Sequence, residues 1–242
     1  MAGRSSRAVR GRWRCGRWPR YHARILTVST THGDIALEEV ELELAGRTWS
    51  ILHAGAIISR AQEDQFLRGE VDVRLPYGSV LWPAALALAL ELATRDLRGK
   101  RVLELGAGTG LPGIIAAARG AHVVQTDIQS VALHLARRNA ERNAISVEHR
   151  TADWTAWTDD ARYDLVIGAD ILYAPALHPA LRAIFERNAG EVLIGDPYRA
   201  AAFAMFEAME RDGWQVSLAK WTVGVTPPPR PVGVFALRRS PG

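Results

Sequence analysis

Apolar and polar residues alternate through LEEVELEL and RTWSILH, on either side of Ala45-Gly46-Arg47, over residues 37–53. A period of two marks a strand with one buried face, and a short glycine-containing break between two such runs predicts a β-hairpin. Residues 54–77 are mixed and run into the loop-like RLPYG. From Leu81, LWPAALALALELATRDL predicts a helix that ends near Leu97-Arg98-Gly99, with Pro83 in the first turn, where proline is tolerated. A regular pattern follows. RVLELG (101–106), AHVVQTD (121–127), SVEHRTAD (146–153), YDLVIGAD (163–170) and EVLIGD (191–196) read as short strands. Helical runs separate most of them: GLPGIIAAARG, SVALHLARRNAERNA, APALHPALRAIFERNA and RAAAFAMFEAMERDG. WQVSLAKWTV and VGVFALRRS close the chain as two consecutive strands, with Pro227-Pro228-Pro229 between them.

Strands alternating with helices build a parallel sheet covered on both faces, and two consecutive strands at the end make one edge antiparallel. The expected class is α/β: a doubly wound, mostly parallel, seven-stranded Rossmann-like sheet. It carries an antiparallel C-terminal hairpin and a small N-terminal β-hairpin extension. The expected divisions are a basic, disordered tail over residues 1–27, the hairpin extension over 28–77 and the main domain over 78–242.

Charge sharpens that division. The formal net charge is +4, yet the first 24 residues hold eight arginines and no acid. Without them, 30 − 8 leaves 22 basic residues against 26 acidic ones, a net of −4. A mildly acidic folded part argues against nucleic acid as a substrate, since a phosphate backbone needs basic residues on the binding face. Three readings fit the tail: a disordered basic arm, upstream sequence preceding a true start at Val28, or an Arg-rich transit peptide. Two lysines against 28 arginines, with many alanines, point to a high-GC genome and favour a bacterium. The longest apolar run, Val80 to Leu92, is broken by Pro83 and Glu91 and falls short of the roughly 18 residues of a membrane span. A single cysteine, Cys15, leaves no intramolecular disulfide, and the seven histidines show no metal-ligand spacing. No metal and no membrane partner are expected, and a cytoplasmic monomer is.

VLELGAGTGLPG joins the first strand of the sheet to its first helix. Glycines let such a turn bend sharply and let a ligand approach the main chain, at the strand ends where doubly wound sheets bind ligands. Gly106, Gly108 and Gly110 read G-x-G-x-G, so the third glycine of the dinucleotide fingerprint is absent and Leu111 stands in its place. Glu104, two residues before the turn, would oppose a pyrophosphate and suit a cation. Asp127 ends the second strand, where a carboxylate can grip both hydroxyls of a ribose. The implied ligand has a ribose and a positive end and no phosphate; S-adenosylmethionine combines these.

E-x-G-x-G-x-G with a downstream strand-end acid resembles the class I S-adenosylmethionine-dependent methyltransferases. The longer string VLELGAGTGLPGIIAA resembles their seven-β-strand protein-lysine methyltransferase branch, methyltransferase family 16. The resemblance runs from about Pro76 to the C-terminus, roughly two thirds of the chain. It implies cofactor contacts from Trp82, Glu104, Gly106, Ala107, Gly108, Asp127, Asp153, Trp154 and Ala169. Alternatives stand beside three of these: Trp82 as helix packing, Asp153 as a turn residue and Trp154 as core.

The fourth strand ends in Asp170-Ile171-Leu172-Tyr173, which matches the D-x-x-Y motif of this branch. A carboxylate there can accept the N–H bonds of an incoming amine, and an aromatic wall can hold its charge. Asp170 and Tyr173 are therefore the catalytic candidates, with a helix N-cap as the plainer role for Asp170. The residues between them are not prolines, unlike the (Asn/Asp)-Pro-Pro-(Tyr/Phe) string of adenine and glutamine-amide methyltransferases. LIGDPYRA (193–200) resembles the GDPGR string of the electron-transfer-flavoprotein β-subunit lysine methyltransferases, with Tyr198 in place of glycine. Asp196 and Arg199 either border a substrate entrance or simply form a strand-end turn. The expected function is S-adenosylmethionine-dependent methylation of a protein lysine side chain. A nicotinamide-like small amine as acceptor and a non-catalytic cofactor-binding protein are the alternatives.

Overall fold

A computed structural model describes residues 20–30, 33–54, 77–224 and 229–239. The expected hairpin is present as β2 (Gly33–Leu44) and β3 (Arg47–His53), paired antiparallel from Leu44↔Arg47 to Glu38↔His53. Ala45 and Gly46 turn it with φ of 52° and 75°, the successive left-handed residues that match the twist of the flanking strands. A further strand, β1 (Arg20–Thr30), lies antiparallel to β2 and makes the extension a three-stranded sheet in the order β1-β2-β3. The expected boundary at residue 27 thus falls inside β1. Its arginine-rich start suggested a tail, but a ladder of main-chain hydrogen bonds is indifferent to that composition. The first 19 residues of the expected tail, residues 55–76 of the mixed stretch, and Pro227-Pro228 lie outside the described residues.

The main sheet has the seven expected strands: β4 (Arg101–Leu105), β5 (His122–Asp127), β6 (Glu148–Thr151), β7 (Tyr163–Ala169), β8 (Ala189–Asp196), β9 (Trp214–Val223) and β10 (Arg230–Arg239). Their order is β6-β5-β4-β7-β8-β10-β9; β10 runs antiparallel to both neighbours and the other pairs are parallel. The chain winds outward from β4 in one direction and then restarts at β7 in the other. Strand order reverses between those two, the place where doubly wound sheets open a crevice.

Among the described residues five helices connect the strands: α1 (Pro83–Ala93), α2 (Leu111–Ala118), α3 (Ser130–Arg142), α4 (His178–Asn188) and α5 (Ala200–Arg211). The period of two in the strands decides which residues meet which helices. Val102, Leu165, Ile167 and Leu193 face the layer of α1 and α2, while Leu103, Leu105, Val166, Val192 and Ile194 face α4 and α5. Each fully buried side chain of this size contributes roughly 1.5–3 kcal/mol. α1 is apolar nearly all round, and Ala84, Ala87, Leu88, Ala89 and Leu92 are fully buried in it, as befits a helix inside a core. Among the described residues no helix is long and apolar enough to cross a membrane.

The small sheet is joined to the main domain through the outer edge of β3. Asn143 Oδ1 accepts the Ser50 N–H (3.0 Å) and its Nδ2 donates to Ser50 O (2.8 Å). One helical turn earlier, Asn139 Oδ1 accepts the Leu52 N–H (2.8 Å) and its Nδ2 donates to Leu52 O (3.0 Å). Four residues of helix rise about 6 Å, and two residues of strand about 6.8 Å, so two side-chain amides take the place of a partner strand. Asn139 Nδ2 also donates to Thr109 O (2.9 Å) in the glycine-rich turn, so one buried amide holds β3, α3 and that turn together. Asn139→Leu keeps the volume and strands these main-chain groups. It is expected to cost about 3 kcal/mol in denaturant unfolding, against about 0.5 kcal/mol or less for Arg137→Ala on the exposed face of the same helix.

Candidate functional site

The glycine-rich turn, Gly106 to Gly110, carries the chain from β4 into α2. Gly108 has φ 54°, and a Cβ there would sit 2.9 Å from Gly78 O, so the main chain of residue 78 can approach only a glycine. Gly78 belongs to a 3-10 turn, Tyr77–Ser79, that is tied back to the small sheet by the Ala54 N–H donating to Ser79 O (2.7 Å). Trp82, at the N-terminus of α1, donates its indole N–H to Tyr77 O (3.1 Å) and braces the same turn.

Where strand order reverses, a cavity of about 410 Å³ opens at the carboxyl ends of the strands. Nine of the eleven candidate residues line it: Trp82, Gly106, Gly108, Asp127, Asp153, Trp154, Ala169, Asp170 and Tyr173. Asp127 Oδ2 accepts the Gly108 N–H (3.1 Å) and Oδ1 the Gln129 N–H (2.9 Å). Burial raises its pKa above the usual carboxylate value even against these bonds. Asp153 forms the turn and also faces the cavity. Its Oδ1 accepts the Thr155 N–H and the Thr155 hydroxyl (both 2.8 Å), capping the turn, and the residue lines the cavity; those bonds lower its pKa. Trp154 sits where a Cβ on Gly106 would lie 3.2 Å from its ring, so it walls the cavity and also packs on the core.

Asp170 follows β7 directly, 8% exposed, with φ 59° and its N–H donated to Gly195 O (2.9 Å). No helix starts on it; the next helical turn is capped by Ala174, so the N-cap reading falls away. Tyr173 lines the same cavity, and burial followed by the charge of Asp127 raises its hydroxyl pKa.

Two candidates stand elsewhere. Ala107 is buried, with its N–H donated to Thr126 O (2.9 Å). Glu104 is 1% exposed beneath the first turn of α2, where Oε2 accepts the Gly113 N–H (3.1 Å) and the Gln125 side-chain amide (2.6 Å). Alternation explains it: Glu104 shares the face of Val102, toward α1 and α2, and cannot also face the crevice. Sequence reasoning in turn missed Ile128, which lines the cavity with 62% of its surface exposed, and the apolar Leu177. An apolar residue placed immediately after a strand-end acid is the signal that marks Ile128.

The lining fits S-adenosylmethionine. Among the described lining residues three carry carboxylates (Asp127, Asp153, Asp170) and one a guanidinium (Arg199), a balance that favours a cation and opposes a pyrophosphate. Glycine main chain, an acid for ribose hydroxyls and apolar walls from Ile128 and Trp154 complete the set.

The fold is shared with solved methyltransferases. The structure superposes on magnesium protoporphyrin IX methyltransferase from Synechocystis PCC 6803 with a TM-score of 0.55 at 17% identity, over 74% of this chain and 91% of that one. Residues 62–195, more than half the chain, match the family model described as lysine methyltransferase, and the chain belongs to that family. It is 40% identical over 134 residues to protein N-lysine methyltransferase METTL21A of Danio rerio, covering 50% of this chain and 60% of that protein. It is 40% identical over 115 residues to EEF1A lysine methyltransferase 3 of Mus musculus, covering 45% and 49%. The chain thus spans about half to three fifths of the length of these relatives.

Burial raises Glu104 from 4.5 to about 8. A carboxyl whose folded pKa lies above its unfolded value stabilises the fold fully below the unfolded pKa and loses that contribution as pH rises through the folded one. Glu104→Gln retains a carbonyl acceptor for Gly113 and does not titrate. It is expected to match the wild type in unfolding free energy near pH 4.5 and to exceed it at pH 8 by on the order of 4 kcal/mol. Parallel pH-dependent curves for the two proteins would refute the buried neutral acid.

Proposed function

We propose that this chain is an S-adenosylmethionine-dependent N-methyltransferase acting on a lysine side chain of a protein. One observation carries the reading: Asp127, the end of β5, and Asp170, directly after β7, line a single cavity on opposite sides of the glycine-rich turn. S-adenosylmethionine, when bound, supplies an electrophilic methyl group on a sulfonium. The chain's own residues then divide the work. Asp127 accepts from the ribose hydroxyls, and the main chain at Gly106 and Gly108 admits close approach. Ile128 and Trp154 offer flat apolar surface, and Asp153 a polar edge beside it.

At the other end, a lysine arrives as an ammonium and must present a lone pair to the methyl carbon. Asp170 accepts N–H bonds from that nitrogen and fixes its direction, while the Tyr173 ring walls the cation. The nitrogen would first lose one proton to solvent to free that lone pair, and the bound cofactor would supply the methyl that then joins it. Little chemistry falls to the side chains, so positioning carries the rate; effective molarities on the order of 10⁵ M are available to aligned groups. Family membership and the names of the two relatives above support lysine as the acceptor.

Labelled S-adenosylmethionine incubated with the enzyme and a lysate separates the readings, because label in the protein fraction supports lysine and label only in small molecules supports a free amine. Asp170→Asn is expected to cut incorporation by about 100-fold with cofactor affinity retained. Asp127→Ala is expected to weaken S-adenosylhomocysteine binding by roughly 10-fold or more. Full incorporation by the Asp170 variant would remove its assigned role.

A further inference from the structure

Arg199 lines the cavity beside Asp170, an odd neighbour for a carboxylate meant to receive a cation. Its guanidinium bridges two acids: Nη1 lies 2.5 Å from Asp170 Oδ1 and 3.2 Å from Asp196 Oδ2. Its main-chain N–H donates to Asp196 Oδ1 (2.7 Å), so one residue holds both oxygens of Asp196. Asp196 is fully buried and Asp170 nearly so. Two carboxylates confined this closely cannot both stay ionised without a cation between them. Among the described residues, Tyr173 and Asp127 line the cavity with this cluster, and the tyrosine hydroxyl senses both Asp127 and Arg199.

The backbone points the same way. Asp170 (φ 59°) and Tyr198 (φ 68°) are both non-glycine residues in the left-handed region, at a cost of roughly 1–2 kcal/mol each. The Tyr198 turn is the bend that aims Arg199 back at Asp170, and its ring is anchored on Phe203 and Phe235 with centroids 6.2 Å away from each. Strain of this kind persists where the surroundings impose it.

Resting on the proposed acceptor role of Asp170, we propose that Arg199 is the positioning residue of the acceptor end: bridging Asp170 and Asp196, it keeps the Asp170 carboxylate ionised, fixed and aimed at the incoming amine. Arg199 acts through Asp170 and does not itself bind the acceptor.

No acceptor protein is needed to test this. Sinefungin is an S-adenosylmethionine analogue that carries a protonated amine at the reacting centre, and S-adenosylhomocysteine has nothing there. The ratio of their affinities, measured by calorimetry on the full chain, reads the amine's partner alone. Wild type is expected to prefer sinefungin, and Asp170→Asn to lose that preference by about 10-fold or more. Arg199→Ala is expected to lose a comparable factor, because one acid of the pair then takes up a proton. In the Asp170→Asn background the same substitution is expected to change the preference by less than about 2-fold, since coupled residues do not add. S-adenosylhomocysteine affinity, held nearly constant throughout, reports an intact cofactor end. If Arg199→Ala does not fold, Arg199→Lys retains the charge without the planar fork and should show a smaller loss that again vanishes beside Asp170→Asn. A preference that survives or rises in the Arg199 variants, or equal losses in both backgrounds, would overturn the proposal. Indifference of the wild-type preference to Asp170→Asn would end the acceptor reading and this inference with it, whereas failure of S-adenosylhomocysteine to bind wild type would instead end the cofactor reading.

Discussion

Everything at the site depends on β4 and β7 lying side by side and parallel. Their register, Val102↔Leu165 to Leu105↔Gly168, brings Gly106 and Ala169 to the same edge at the same height. The helices leaving those two strands go to opposite faces of the sheet, α2 to one and α4 to the other. Neither helix therefore covers the strand ends between them. This topology opens the crevice, and the residues that follow each strand line it. Cofactor and acceptor groups can meet there because Asp127 ends the strand on one side of β4 and Asp170 ends the strand on the other.

Buried polar groups secure that edge, and each answers a specific debt left by the backbone. Asn139 and Asn143 satisfy the outer edge of β3, which would otherwise present unpaired N–H and C=O groups to an apolar interior. Glu104 and Gln125 satisfy the underside of the glycine-rich turn, through Gly113 N–H and Gly110 O. The two networks meet at the turn, since Asn139 also holds Thr109 O. The small sheet is thereby continuous with the cofactor end: Ala54, just after β3, holds Ser79 O and with it the turn of Gly78, whose carbonyl oxygen lies over Gly108.

Much of this was legible in the sequence, for physical reasons that differ by residue. The strands read well because a doubly covered sheet demands unbroken apolar runs, as in Leu165-Val166-Ile167. Asp127 and Asp170 were legible as cavity-lining positions because each stands at the carboxyl end of a buried strand. Glu104 misled, although alternation with Val102 held the answer: residues of one parity share a face, and that face belongs to α2. Strand β1 escaped because a strand made by pairing to β2 needs no strong pattern of its own. Arg199 was visible as a residue and opaque as a partner. Its contact with Asp170 spans 29 positions and depends on a left-handed tyrosine that no periodicity announces.

That tyrosine bears on how the acceptor end is built. Asp170 is reached from β7 and Arg199 from β8, and each arrives through a residue that prefers another backbone conformation. A single strained residue could relax by moving its loop. Two of them, on adjacent strands and joined by an ion pair of low exposure, restrain each other, because relaxing either one breaks the bridge to the other. Asp170 Oδ1 is then held by the sheet register below and the guanidinium beside it before any ligand arrives. Asp170 is held by Gly195 and Arg199 and also lines the cavity. D-x-x-Y alone specifies an acid and an aromatic at one strand end; the residues after β8 decide where that acid points.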